Sequence, residues 1–168
     1  MQVAQFKSRL SDGGARPNQF RVNLQFPGAV GHPGVDYDLL VTGAAIPAST
    51  VNPVITQFRG REVKFAGERI FDPWTITVIN SADFKVREQF EAWMELINNK
   101  TDNSGNISWD SYQVDMSVEH LDRNNVAIQS YTLVQAFPIN MSEIALQYAQ
   151  NDIIEEFTVT FQYQHYIV

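Results

Sequence analysis

A chain of 168 residues with 44% hydrophobic and 18% charged side chains is an ordinary folded protein of one-domain size and not a disordered tail. Its net charge of −7 argues against a protein whose task is to grip nucleic acid, and the absence of cysteine excludes disulfides and thiolate metal sites. The first ten residues hold no signal-peptide core, and the most apolar stretch, residues 39–46, is far too short to span a bilayer. The expectation is a soluble protein with no cleaved signal and no stable membrane association.

Residues 1–19 are polar and turn-rich and read as an arm leading into the fold. Phe20, Val22, Leu24 and Phe26 then alternate with Arg21, Asn23 and Gln25, the period-two signature of a half-buried strand. Residues 27–34 hold three Gly and two Pro and form a loop. A second strand is expected over residues 37–44, interrupted by 46–50 and by Asn52-Pro53. Extended chain resumes over 54–58, and Gly60 turns it back into 62–66 as a long hairpin carrying Arg59, Arg61 and Lys64. Trp74, Ile76 and Val78 alternate with Thr75 and Thr77 as another strand.

One helix is expected at about 82–98. Ser81 is the predicted N-cap, Asp83 complements the dipole in the first turn, and Val86, Phe90, Trp93, Met94 and Ile97 recur at helical spacing up to Asn98-Asn99. That stripe is the material of a core, not of a cofactor box. Strands return over 112–119, over 126–137 after the turn residues 122–125, and over 156–164. The fold class is mostly β: an antiparallel sandwich or barrel of seven or eight strands flanked by one helix. The expected organisation is a single domain over 1–168, with the arm at 1–19 and an extended hairpin and loop at 46–61.

Charge is unevenly distributed. Residues 1–100 carry 11 basic and 10 acidic side chains, whereas 101–168 carry one basic residue, Arg123, and 9 acidic ones, so the two segments differ as +1 and −8. A chance fluctuation on a solvated surface accounts for this as well as a subunit with two unlike ends does, and head-to-tail assembly favours the second.

No catalytic signature emerges. His32, His120 and His165 are scattered without metal-ligand spacing, and no phosphate loop, dinucleotide fingerprint or nucleophile elbow is present. The Asp102 to Asn106 stretch fails as a calcium loop, because Ile107 and Gln113 stand where Gly and Glu are required. Asp115 and Glu119 share a strand face, which a glycosidase-like hydrolase could use, but solvated carboxylates do this routinely. A monomeric carbohydrate-binding sandwich using Trp109, Tyr112 and Tyr131 is a further reading. No cofactor or metal is expected.

The stretch over 60–80, GREVKFAGERIFDPWTITVIN, resembles the signature segment of tail tube proteins from contractile-tailed bacteriophages. The residues carrying the resemblance are Arg61, the turn-like Ala66-Gly67-Glu68-Arg69, Phe71-Asp72, Trp74 and the strand ending at Asn80. Arg16-Pro17-Asn18 with Phe20 is similar to the family's N-terminal motif, Ala44-Ala45-Ile46-Pro47-Ala48 to its strand-exit motif, and Phe137-Pro138 and the closing strand also fit. The likeness covers nearly the whole chain in order. Departures are the long 27–34 loop and the Asn103 to Asn106 loop.

The resemblance implies a structural virion protein and no enzyme. It implies hexameric rings whose strands close a β-barrel around a channel, stacked into a tube inside a contractile sheath. DNA passes through the tube without specific binding, and assembly takes place in the host cytoplasm. Its partners would be further copies of itself, the sheath, baseplate and tail terminator proteins, and a tape measure protein in the lumen. The alternative machine is a type VI-like or bacteriocin-like injection tube. Asp115, Glu119 and Gln113 are the candidate lumen-facing residues, because a polyanion slides past an acidic or polar wall and sticks to a basic one. The Thr and Gln face of residues 158–164 is a second candidate lining. Arg59, Arg61, Lys64, Ile46 and Pro47 are the candidate contacts between rings.

Overall fold

The computed structural model describes residues 3–10, 14–31, 37–106 and 108–168. Part of the N-terminal arm, the end of the 27–34 loop with His32, and Ile107 lie outside the described residues. A short exposed helix, α1 (Val3–Arg9), opens the described chain, an element the turn-rich arm did not suggest.

Nine strands follow among the described residues, all paired antiparallel, so the mostly β expectation holds. They are β1 (Phe20–Asn23), β2 (Val41–Ala44), β3 (Ser49–Phe58), β4 (Arg61–Phe71), β5 (Trp74–Ile79), β6 (Val114–Leu121), β7 (Ala127–Met141), β8 (Glu156–Gln162) and β9 (His165–Ile167). One sheet orders β1-β6-β7-β9 and the other β7-β8-β5-β2, while β3 and β4 pair only with each other.

The 15-residue β7 belongs to both sheets. Opposite Asp115 it carries the extra residue of a bulge, and Gln135 there takes a left-handed φ of 55°. A bulge bends a strand sharply, which is how one strand turns the corner between two packed sheets.

The core lies between the sheets. Trp74, Ile76 and Val78 of β5, Phe157, Val159 and Phe161 of β8, and Met116, Val118 and Leu133 of the other sheet are buried, each set at the period-two spacing read from sequence. The main helix, α2 (Lys85–Ile97), closes the open side with Val86, Phe90 and Trp93. Phe90 meets Phe157 and Phe161 edge-on, and the Trp93 indole donates to the Tyr112 carbonyl at 2.7 Å.

Several local expectations are corrected. The first strand ends at Asn23, because the Leu24 N–H leaves the ladder for the Asp38 carboxylate at 2.8 Å. Tyr37–Leu40 is a 3-10 turn, not strand, and places the Tyr37 ring in the core. Ser81 is not the N-cap of α2. The helix begins after Phe84, at φ 56°, while the Asp83 carboxylate accepts from the Lys85 N–H at 3.3 Å. Hydrogen bonds from Ser81 and Lys85 hold the Asp83 carboxyl down to about 2.

Candidate assembly surfaces

The hairpin of β3 and β4 is longer than expected and continuous through Pro53. Arg59 and Gly60 form its two-residue turn with φ of 48° and 80°, the pair of positive values that matches the twist of flanking strands. Lower down, Asn52 alone faces Gly67 and Glu68, so the Ala66-Gly67 stretch is a bulge within β4 and not a turn. A Cβ on Gly67 would stand 2.5 Å from the Asn52 carbonyl oxygen, so only glycine fits this approach of two backbones.

Almost every hairpin residue is exposed, including Val51, Val54, Ile55, Phe58, Phe65 and Ile70. Arg59 lies over the Phe58 ring, 5.4 Å from its centroid, and Lys64 pairs with Glu62 at 3.8 Å. At the hairpin's root Phe71 packs on Tyr163 and Tyr166, and the Asp72 N–H donates to the Ala48 carbonyl. The root is thus tied to the body, whereas the residues of the upper part are almost all exposed. Ile46 is exposed at the root, and Pro47 is buried within its own chain.

The carboxylates of β6 sit on the outer face of their sheet, opposite Met116 and Val118. Asp115 is exposed and accepts a hydrogen bond from the Gln135 N–H at 2.8 Å, holding the β7 bulge. Half-buried Glu119 pairs with Arg21 of β1 at 3.6 Å. Half-buried Gln113 directs its N–H to the Trp109 carbonyl just before β6 begins. Neither carboxylate is set up for acid–base work: one caps a bulge and the other is ion-paired. The outer face of the second sheet is uncharged apart from Glu156, with Thr75 hydrogen-bonded to Thr160 and Thr77 opposite Thr158.

The separate sequence motifs converge at one place. Ala15, Pro17 and Phe20 line a groove of about 280 Å³ together with Ala44, Ala45 and Ile46. The buried Trp74 indole donates to the Ala45 carbonyl at 2.6 Å, locking the strand exit onto β5. Arg16 and Asn18 flank the Pro17 turn and are exposed, as is Arg69 on the hairpin. No cluster of metal-ligating side chains exists among the described residues.

Residues 15–168 match the model of the phage tail tube protein family. The chain belongs to that family. It is a structural protein of contractile phage tails and not an enzyme. It is 29% identical to the tail tube protein of Serratia phage KSP90, over 96% of this chain and 93% of that one. It is 26% identical to the tail tube protein gp19 of Enterobacteria phage T4, over 87% of this chain and 86% of the relative.

Among solved structures, the fold is shared with a chain of the anti-feeding prophage baseplate, at a TM-score of 0.64 and 14% identity over 91% of this chain and 93% of that one. It is also shared with a chain of the sheath-tube complex of the PVC extracellular contractile injection system. There the TM-score is 0.59 and the identity 12%, over 99% and 97% of the two chains.

Two working residues leave no local mark in the sequence. Gln135 carries the sheet-switching bulge, and nothing in a lone glutamine within a β-rich run announces a left-handed conformation. Asp38 ends the first strand from 14 residues away, a contact no local pattern encodes.

Proposed function

We propose that this tail tube subunit forms hexameric rings that stack into the inner tube of a contractile tail, through which phage DNA is ejected. The observation that carries this beyond family membership is the arrangement of unpaired β structure. The edges of both sheets and an almost wholly exposed 10-by-11-residue hairpin are present on one small subunit. An isolated two-stranded hairpin is at best marginally stable in water, and free sheet edges invite pairing, so closure across subunits is the natural resolution.

In this reading the whole chain, 1–168, acts as one tube domain, with the arm over 1–19 and the hairpin region over 46–61 as its contacts with neighbours. Asp115, Glu119 and Gln113 face the lumen, and Arg59, Arg61, Lys64 and Ile46 meet the adjacent ring. Sheath, baseplate, terminator and tape measure proteins are the expected partners, and assembly takes place in the host cytoplasm. The outer face of Thr75, Thr77, Thr158 and Thr160 is a second candidate lining, favoured by having no basic side chain. Either wall lets a polyanion slide without counterion release.

Electron microscopy of the purified protein tests the reading. Rings, or tubes of constant diameter, are expected. A monodisperse monomer at high concentration, both alone and when supplied with a baseplate template, would refute it.

A further inference from the structure

The loop joining β7 to β8, residues 142–155, exposes Leu146, Tyr148, Ile153 and Ile154. With Ile79 and Ile144 these side chains line an open groove of about 1040 Å³. The loop is anchored at both ends: the Ser142 N–H donates to the Thr158 carbonyl and the Asn80 N–H to the Glu155 carbonyl, at 2.9 and 2.8 Å. It carries Glu143, Asp152 and Glu155 and no basic residue. Exposed apolar side chains gathered in one groove mark an interaction surface, and the question is what covers it.

The hairpin supplies the complement. Its register puts Val54 opposite Phe65 and Thr56 opposite Val63, so Val54, Val63, Phe65 and Phe58 form an apolar stripe on one face. Arg59 stands in its turn and Arg61 on the face of the stripe, whereas Lys64, opposite Ile55, pairs with Glu62 on the other face. One unpartnered surface is therefore apolar and basic, and the other is apolar and acidic.

Their placement is as telling as their chemistry. The hairpin root at Phe71 lies next to Trp74, where β5 begins, and the loop is bound at Asn80, just beyond Ile79, where β5 ends. The two surfaces thus sit at opposite ends of the same sheet, about 20 Å apart along the strand. Two unlike complementary surfaces at opposite ends cannot satisfy each other within a subunit. They are satisfied by a second copy displaced along the strand direction, which is a heterologous, head-to-tail contact.

We infer that the 142–155 groove is the acceptor surface for the β3–β4 hairpin of a copy in the adjacent ring. The inference rests on the stacked-ring reading and adds the surface on which each hairpin lands. It also gives the uneven charge of the sequence a role, with the hairpin and the acidic loop as the two ends of a polar stack.

The chain has no cysteine, so a Thr56→Cys and Gln150→Cys pair, the first on the face of the stripe and the second in the groove, can be introduced without background. Oxidised tubes of the double variant should give a ladder of covalent multimers on a denaturing gel, whereas each single variant should stop at dimers. Independently, Ile153→Ser with Ile154→Ser should raise the concentration needed for stacking roughly tenfold or more while rings still form, since burying each side chain is worth more than one factor of ten. If tubes form but the double variant yields no ladder and the serine variant stacks normally, the hairpin lands elsewhere and the inference is overturned, with the tube reading intact. If the wild-type chain forms neither ring nor tube, the tube reading fails and takes this inference with it.

Discussion

Replacing Asp115 by alanine separates what this carboxylate does inside the subunit from what it contributes to a lumen wall. In the folded chain it accepts the Gln135 N–H at 2.8 Å, at the point where β7 leaves one sheet for the other. Gln135 sits there at φ 55°, a conformation that costs a non-glycine residue roughly 1–2 kcal/mol and persists only where its surroundings enforce it. A buried hydrogen bond to a charged acceptor contributes about 1.5–3 kcal/mol, and because Asp115 is exposed the value falls to the bottom of that range or somewhat below it, about 1–2 kcal/mol. For a domain of this size such a loss corresponds to a melting temperature lower by about 2–8 °C. Asp115→Asn, which keeps an acceptor without the charge, should lose roughly half as much. The assay is urea and thermal unfolding of the unassembled subunit, followed by tryptophan fluorescence, with amide exchange read at Gln135. If Asp115→Ala melts with the wild type and the Gln135 amide exchanges no faster, the bulge does not depend on this carboxylate and the reasoning is wrong.

Other consequences follow from the same structure. Phe161→Ala removes the ring shared by Trp74, Phe90 and Trp93 and should destabilise the subunit by about 3–5 kcal/mol in denaturant titration. Gly67→Val places a side chain against the Asn52 carbonyl. Because the hairpin stands apart from the core, ring stacking seen by microscopy should fail while the subunit's melting temperature changes little. Charge reversal at Arg59 and Arg61 should give rings that do not stack, and tubes of normal length from that variant would contradict their assignment. Ser81→Ala should raise the Asp83 pKa from about 2 toward the ordinary carboxylate value, as read by NMR titration. The sign is that of a depressed acid: the Asp83 contribution is complete above the unfolded value near 4 and lost as pH falls through about 2.

Much of this fold is written locally in the sequence. The alternations at Trp74, Ile76 and Val78, at Met116 and Val118, and at Phe157, Val159 and Phe161 each become buried strand faces. The helical stripe of Val86, Phe90 and Trp93 becomes the lid of the core. What escaped was set by distant contacts. Tyr37 reads as strand but is turned into the core by a 3-10 turn, and Ser81 looks like a cap while Asp83 accepts the helix-start N–H. Gly67 reads as a turn glycine because a bulge and a turn demand the same absence of a Cβ, and only the pairing partner Asn52 distinguishes them.

The assembly surfaces were legible unevenly. The basic hairpin tip and the acid-rich second half are visible as charge, but the exposure of Val54, Phe58 and Phe65 is not, since apolar residues in a strand ordinarily imply burial. The same holds for Leu146, Ile153 and Ile154, which sit in a stretch without periodicity. Pro47 shows the converse: a residue placed on a contact surface by its neighbours turned out to be buried in its own chain.

Closure of this subunit into six-membered rings, around a channel whose wall carries no excess of basic charge, is the proposal on which the rest depends. A cryo-electron microscopy reconstruction of the assembled tube tests it most directly. Six-fold rings in a continuous β-barrel are expected, with Asp115, Glu119 and Gln113 pointing into the lumen. Those side chains on the outside of the tube would overturn their assignment to the wall, and a lumen lined by Arg59, Arg61 and Lys64, or the absence of six-fold rings, would contradict the proposal itself.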